Sequence, residues 1–380
     1  MATHIYHNIF INNNTNDIIP ATYEENRVIP ILNDPSEYDL SVIRFQVPLS
    51  EVPIFTFIDN EYMIAIYYKT ATHGNLYFEK WVNYINNNTV NTPPNKNEIY
   101  DYVSFLQMIN TALLSAWSDI HTLEPTTVVL NQAPYLRKSI NNQNIFELVI
   151  PQSAVNNCIV YFNQQLAYYF DSLPSNSSVI LSPPDGLNPS PGQSLPTPPA
   201  SGIFRTLPAG YQRCYGYNNT AFNQYPYIDT GCLGWENKAT AYTSFSIVQE
   251  FQTLANWNDA LGLVFTTSTI PVIGDAYSIP SSSSFGSNVT QKIITDFQIN
   301  AQLGPESRGI VDYVPFGEYR LMPLNSSFPL STMNISVNWI DTEGIINPLY
   351  ISPRNSINLK IMYRKKKWKV GDPIIEKYIK

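Results

Sequence analysis

Between Tyr38 and Ile58 the chain reads YDLSVIRFQVPLSEVPIFTFI. Leu40 and Val42 alternate with Asp39 and Ser41. The apolar phase then slips by one residue, and Ile43, Phe45, Val47 and Leu49 alternate with Arg44, Gln46 and Pro48. Alternation with period two predicts a strand with one buried face, and the slip predicts a bulge. Pro48 and Pro53 cannot donate to a ladder, so the strand is expected to end near Val47 and turn a corner into IFTFI. Sandwich folds use such corners.

The same grammar recurs along the chain. Residues 1–37 are Asn-rich, weakly periodic and broken by Pro20, Pro30 and Pro35, which predicts an extended arm. YMIAIYYK and LYFEKWVNYI predict two strands before a loop at 86–97. One helix then stands out in YVSFLQMINTALLSAW, where Phe105, Met108 or Ile109, Ala112 or Leu113, and Ala116 or Trp117 recur at three-to-four spacing behind Asp101 or Ser104 as N-cap. TTVVLN and NIFELVIP follow as strands, and CIVYFNQQLAYYF as a strand running into a short helix or turn. Leu173 to Pro208 carries nine of the 29 prolines, a composition that disfavours ladders. Tyr211 to Trp235 is then crowded with aromatic rings.

Strand patterning resumes with YTSFSIVQEF, LGLVFTTSTIPV, NVTQKIITDFQI, TMNISVNWI and NLKIMYRK. The expectation is an all-β protein: a single jelly-roll sandwich with one amphipathic helix and an inserted outer module. Its parts are an arm at 1–37, a discontinuous jelly roll at 38–171 and 241–363, an insertion at 172–240, and a basic tail at 364–380.

Charge changes the picture in one place. Charged residues are only 14% of the chain and the net charge is −8, yet residues 360–380 hold eight of the 22 basic residues and only two acids. A body so poor in charge suits burial against other subunits. The run Arg364, Lys365, Lys366, Lys367 and Lys369 is a candidate contact for packaged DNA or for an acidic neighbour. No apolar window reaches spanning length and MATHIYHNIF lacks a signal-peptide pattern, so an unprocessed chain without a membrane span is expected. Cys158, Cys214 and Cys232 match no zinc spacing; Cys214 and Cys232 either pair or lie buried as thiols.

Catalytic material is thin. His4, His7, His73 and His121 form no metal-ligand spacing, and Asp341 with Glu343 reads as turn acids rather than a glycosidase pair. No phosphate loop or nucleophile elbow occurs, so neither a cofactor nor an enzyme is expected. Tyr215, Tyr217, Tyr225, Tyr227 and Trp235 either form the core of a small module or face outward as ligand contacts.

Six ordered blocks resemble the penton (minor capsid) proteins of virophages and Polinton-like viruses, of the Sputnik type. They are LSVIRFQVPLSEVPIF at 40–55, FLQMINTAL at 105–113, IVYFNQQL at 159–166, LGLVFTTSTIPVIGD at 261–275, IITDFQI at 293–299, and EYRLMPLNSSFPLSTMNISVNWIDTEGIINPL at 318–349. The resemblance implies an upright jelly roll present as a homopentamer at an icosahedral vertex, surrounded by hexon-like trimers of a major capsid protein. It places the protein in the virion, assembled in the host cytoplasm or a viral factory, with the insertion outermost, where a fibre or host surface glycan could attach. Arg44, Gln46, Pro48 and Pro53 are the candidate subunit interface or its support. Two other classes fit the residues alone: a carbohydrate-binding jelly roll that uses the aromatic insertion, and a sandwich-fold glycan hydrolase or lyase.

Overall fold

The computed structural model describes residues 4–85, 97–139, 142, 144–151, 154, 157–174, 211–216, 225–229, 242–273, 275–278, 288–299, 309–314 and 320–366. The chain divides into two compact units. The first comprises Met1–Ile54, Asn88–Tyr100 and Asp259–Lys380, and the second Phe55–Asn87 and Asp101–Asn258.

The first unit is a sandwich of two antiparallel sheets. One sheet runs in the order His4–Asn12, Ser356–Lys365, Tyr38–Pro48 and Ile310–Tyr313, with Met322–Pro323 also paired to Tyr38–Pro48. The other runs Asp275–Ser278, Asn288–Gln298, Gly262–Thr267, Thr332–Ile340 and Ile346–Pro348, with Thr22–Asn26 also on Thr332–Ile340. Alternate side chains from both sheets meet in one core that includes Leu40, Val47, Leu263, Ile335, Trp339 and Ile361. Phe45 lies at its centre, 4.4 Å from the Phe297 ring and 5.2 Å from the Phe265 ring. Each such buried ring contributes about 1.5–3 kcal/mol by leaving water.

The bulge read from the phase slip is present. In the ladder with Ser356–Lys365, Lys360 pairs with Arg44 and Ile361 with Val42, so Ile43 is the extra residue. The corner is present too, as a 3-10 turn at Leu49–Glu51. It leads into IFTFI as expected, through the short strand Phe55–Thr56, where the second unit begins. The residues expected to form an arm also differ. His4–Asn12 pairs along its whole length with Ser356–Lys365, and Thr22–Asn26 pairs with Thr332–Ile340. Asn-rich strands escape pattern reading because their exposed face carries amides rather than charges, while Ile9 and Ile11 still reach the core.

The second unit holds two four-stranded sheets and the helix. One sheet is ordered Tyr225–Asp229, Tyr242–Val248, Phe146–Pro151 and Tyr135–Lys138; the other is ordered Tyr211–Gly216, Cys158–Asn163, Met63–Lys69 and Asn75–Trp81. Phe146–Pro151 and Cys158–Asn163 are buried on both faces, which is why they read as unbroken apolar runs. Helix α1, Tyr102–Leu123, starts at Asp101, whose carboxylate accepts the N–H of Ser104 at 2.7 Å. It packs on the sheet strands through Phe105, Leu113 and Trp117. Asn110, buried in α1, both donates to Leu136 O and accepts from Leu136 N, which extends the neighbouring strand's pairing into a side chain.

TTVVLN is not a strand. It folds as turns and a 3-10 stretch, because Trp117 Nε1 donates to Val129 O at 3.0 Å and His121 Nδ1 lies 2.6 Å from Val128 O. The strand is Tyr135–Lys138 instead. CIVYFN does run into a helix, α2, Gln164–Tyr169, capped by Asn163, which accepts from Leu166 N. Within the stretch from 172 to 240, Tyr211–Gly216 and Tyr225–Asp229 add an outer strand to each sheet of this unit.

Candidate functional site

The positions singled out from the sequence fall at separate places in the fold. Arg44 is exposed and stands opposite Lys360 in the ladder, while the Lys360 ammonium lies 5.0 Å over the Tyr6 ring. Like charges facing each other across a ladder are unfavourable in a lone subunit, and an acidic partner relieves them. Gln46, half-buried, accepts from Asn358 Nδ2 at 3.2 Å and stands opposite Asp312. Pro48 is half-buried at the strand end, and Pro53 is buried within its own chain.

The described part of the basic tail is already engaged. Lys365 Nζ lies 3.0 Å from Glu37 Oε2, and Lys366 Nζ donates to Ser36 O at 2.8 Å with Asp39 at 3.9 Å. Arg364 pairs in register with Asp39 and His4. These ion pairs tie the closing strand to the turn before Tyr38–Pro48. Lys367 and Lys369 lie outside the described residues, as do Tyr217, Trp235 and Cys232. Tyr215 pairs with Val160, Tyr225 with Ser246 and Tyr227 with Ser244, all in strand backbone. Cys214 pairs with Tyr161 in the same way.

Residues that could do chemistry serve the fold. Asp341 accepts the N–H groups of Glu343 and Ile345 at 3.0 and 2.8 Å and the side chain of Asn347, so it organises its turn, where Gly344 takes φ +79°. Burial pushes the Cys158 thiol far above its ordinary range. Among the described residues no cluster of His, Cys, Asp or Glu could hold a metal ion. Among them, also, no helix is long and apolar enough to cross a membrane.

One surface feature escaped pattern reading. Val28, Ile29 and Phe328 are 102, 79 and 80% exposed. Main-chain bonds from Arg27 N to Ser331 O and from Ile31 N to Leu330 O hold their two loops side by side. The signal was the apolar run VIPIL at 28–32, in which Ile31 and Leu32 turn to the core and Val28 and Ile29 do not.

Comparison with known proteins places these features. The family described as Sputnik minor capsid protein V18/19 matches residues 5–365. Structural protein V19 of Sputnik virophage is 32% identical over 120 residues, 31% of this chain and 54% of that protein. An uncharacterised Sputnik virophage protein, V18, is 32% identical over 140 residues, 30% of this chain and 83% of that protein. The matched region thus spans about half the length of the first of these relatives. Among solved structures, a chain of the Sputnik virophage determined by cryo-EM superposes with TM-score 0.63 at 24% identity, covering 96% of this chain and 98% of that one. The mavirus penton protein superposes with TM-score 0.56 at 15% identity, over 95% and 99%. Those likenesses carry the fold. The match from residue 5 to residue 365 carries the family: this chain belongs to the Sputnik minor capsid protein V18/19 family and is a structural protein of the virion capsid.

Proposed function

We propose that the protein is the penton of an icosahedral shell, five copies closing a ring at each vertex, and that it carries out no chemistry of its own. The observation behind this reading is the family match, which runs through both units and through every described sheet. Likeness in fold to a penton protein supports it. A heterologous contact repeated by a fifth of a turn closes such a ring without leaving a free end.

Two surfaces of the first unit suit that contact. The exposed corner of Val28, Ile29 and Phe328 offers apolar area to a neighbouring copy, and the Arg44–Lys360 pair calls for its carboxylates. Corner residues Pro48 and Pro53, with Gln46, hold the strand that presents Arg44. Trimers of the major capsid protein surround the ring. The insertion at 172–240 is displayed outward, with Tyr215, Tyr217, Tyr225, Tyr227 and Trp235 as its contact residues for a fibre or surface glycan. The basic run from Arg364 to Lys369 lies on the inner side, toward acidic neighbours or DNA.

Light scattering on purified protein, alone and with the major capsid protein, tests the ring. Five chains of 43.1 kDa give about 216 kDa. Val28→Asp with Phe328→Asp should return folded monomers. A particle that stays monomeric in both conditions, or settles as a trimer, refutes the reading.

A further inference from the structure

A cleft of about 470 Å³ opens in the second unit beside α2. Glu61, Gln164, Gln165, Tyr168 and Asp171 supply its polar and aromatic groups, and the buried rings of Tyr62 and Tyr169 complete the lining. Two observations separate it from an ordinary surface hollow. The Oε2 atom of Glu61 is out of contact with water yet has no hydrogen-bond partner among the described residues. The Tyr168 ring is 58% exposed, although the next residue, Tyr169, is only 7% exposed.

The lining is rigid. Trp257 Nε1 and Thr253 Oγ1 both donate to Tyr169 O, at 2.8 and 2.6 Å, and Asn256 Nδ2 donates to Tyr168 O at 3.1 Å. Tyr62 and Tyr169 join their hydroxyls at 3.2 Å. Asn163 locks the opposite side: its amide donates to Glu61 O at 2.6 Å and to Gln165 Oε1 at 3.1 Å, while its oxygen accepts from Met63 N. With Gln165 Oε1 so engaged, the NH₂ of Gln165 is the group it offers a ligand. A site held in place before binding loses little entropy on binding.

The donor and acceptor set selects the ligand chemistry. An anion is disfavoured, since Glu61 and Asp171 line the cleft and, among the described residues, no Lys or Arg does. A cation would satisfy Glu61 but give the amide NH₂ groups of Gln164 and Gln165 no acceptor. A hydroxyl both gives and takes a hydrogen bond, and so suits a carboxylate and an amide together. Sugars add an apolar C–H face, which packs on an exposed tyrosine ring. We propose that the cleft between Glu61, Gln164, Gln165 and Tyr168 is a binding site for a neutral carbohydrate. It lies on α2 and the turn before Met63–Lys69, and does not depend on ring formation.

The test is saturation-transfer NMR and titration calorimetry on the full chain with chitotriose, mannotriose and lactose, and with trilysine as a cationic competitor for the same carboxylates. At least one neutral sugar should bind. Tyr168→Ala should weaken it by about tenfold, Tyr168→Phe should retain it, and Glu61→Gln should weaken it several-fold, each variant keeping the parent circular dichroism. Three outcomes overturn the proposal: no sugar binds at its highest soluble concentration, binding survives both Tyr168→Ala and Glu61→Gln, or trilysine binds and the sugars do not.

Discussion

Glu51 accepts the main-chain N–H of Ser352 at 2.6 Å, although the two residues are 301 positions apart and the glutamate is only 3% exposed. The same carboxylate takes the Asn355 amide. A buried carboxylate is expensive unless it is hydrogen-bonded, and here it joins the proline corner to the loop that leads into the closing strand. Glu51→Ala would strand the Ser352 N–H without an acceptor. The expected loss of stability is about 1.5–3 kcal/mol, the range for hydrogen bonds to charged groups, with Glu51→Gln losing less. Equal denaturant midpoints for Glu51→Ala and the parent would contradict this role.

Gly262 is required by closeness rather than by backbone conformation. A Cβ built there would come within 2.5 Å of Phe297 O on the adjacent strand. Gly262→Ala should therefore push apart the strands that carry Phe265 and Phe297, at about 1–3 kcal/mol as for other overpacked positions. Thermal melting of the variant checks it; an unchanged midpoint would show that the ladder yields freely.

Acid should weaken the first unit in two stages. His7 Nε2 lies 3.0 Å from Glu25 Oε2 and thereby joins one sheet to the other. Burial holds the His7 pKa below 6.5, against the pull of Glu25. Burial alone would raise Glu25, but the hydrogen bonds from Arg27 and Tyr23, together with the charge of His7, hold it below 4.5. A histidine depressed in the fold binds protons more readily when unfolded, so its contribution is complete above pH 6.5 and shrinks as pH falls. Glu25 adds a second loss below pH 4.5. Melting temperature should drop between pH 7 and pH 5 and more steeply below that, and His7→Gln should flatten the upper stage.

Glu61 has the opposite sign. Burial raises its pKa above 4.5, so the fold favours the neutral acid, and this contribution is lost as pH rises through the raised value. Glu61→Gln should melt higher than the parent at pH 8 and match it near pH 4. If the parent is the more stable of the two at pH 8, the carboxylate has a donor in solution.

Much of the first unit was legible because its strands have one wet face. The slip between Val42 and Phe45 announced the bulge at Ile43; in the second unit, Asp101 before the helical period announced the cap of α1. Misreadings had physical causes. Val128 and Val129 carry strand propensity, but Trp117 and His121 claim their carbonyls, a tertiary contact that no local window contains. The His4–Asn12 strand was hidden because its outward residues, His, Tyr, Asn and Phe, do not alternate sharply with its inward ones. The Glu61 cleft assembles residues about 100 positions apart, and its signal, an orphan carboxylate oxygen, exists only after folding.

The strand Tyr38–Pro48 takes its ladder partners from Ile310–Tyr313, Met322–Pro323 and Ser356–Lys365. Every one is translated more than 250 residues later. On the ribosome, therefore, the residues that form the centre of this sheet wait unpaired while the whole second unit, ending at Asn258, is made and can fold. The nascent chain carries an open sheet edge through most of its synthesis, and this edge is a natural point of engagement for chaperones. Subunits with an incomplete first sheet lack their final strand, and protease-resistant fragments from stalled chains should contain Phe55–Asn258 but not Tyr38–Pro48.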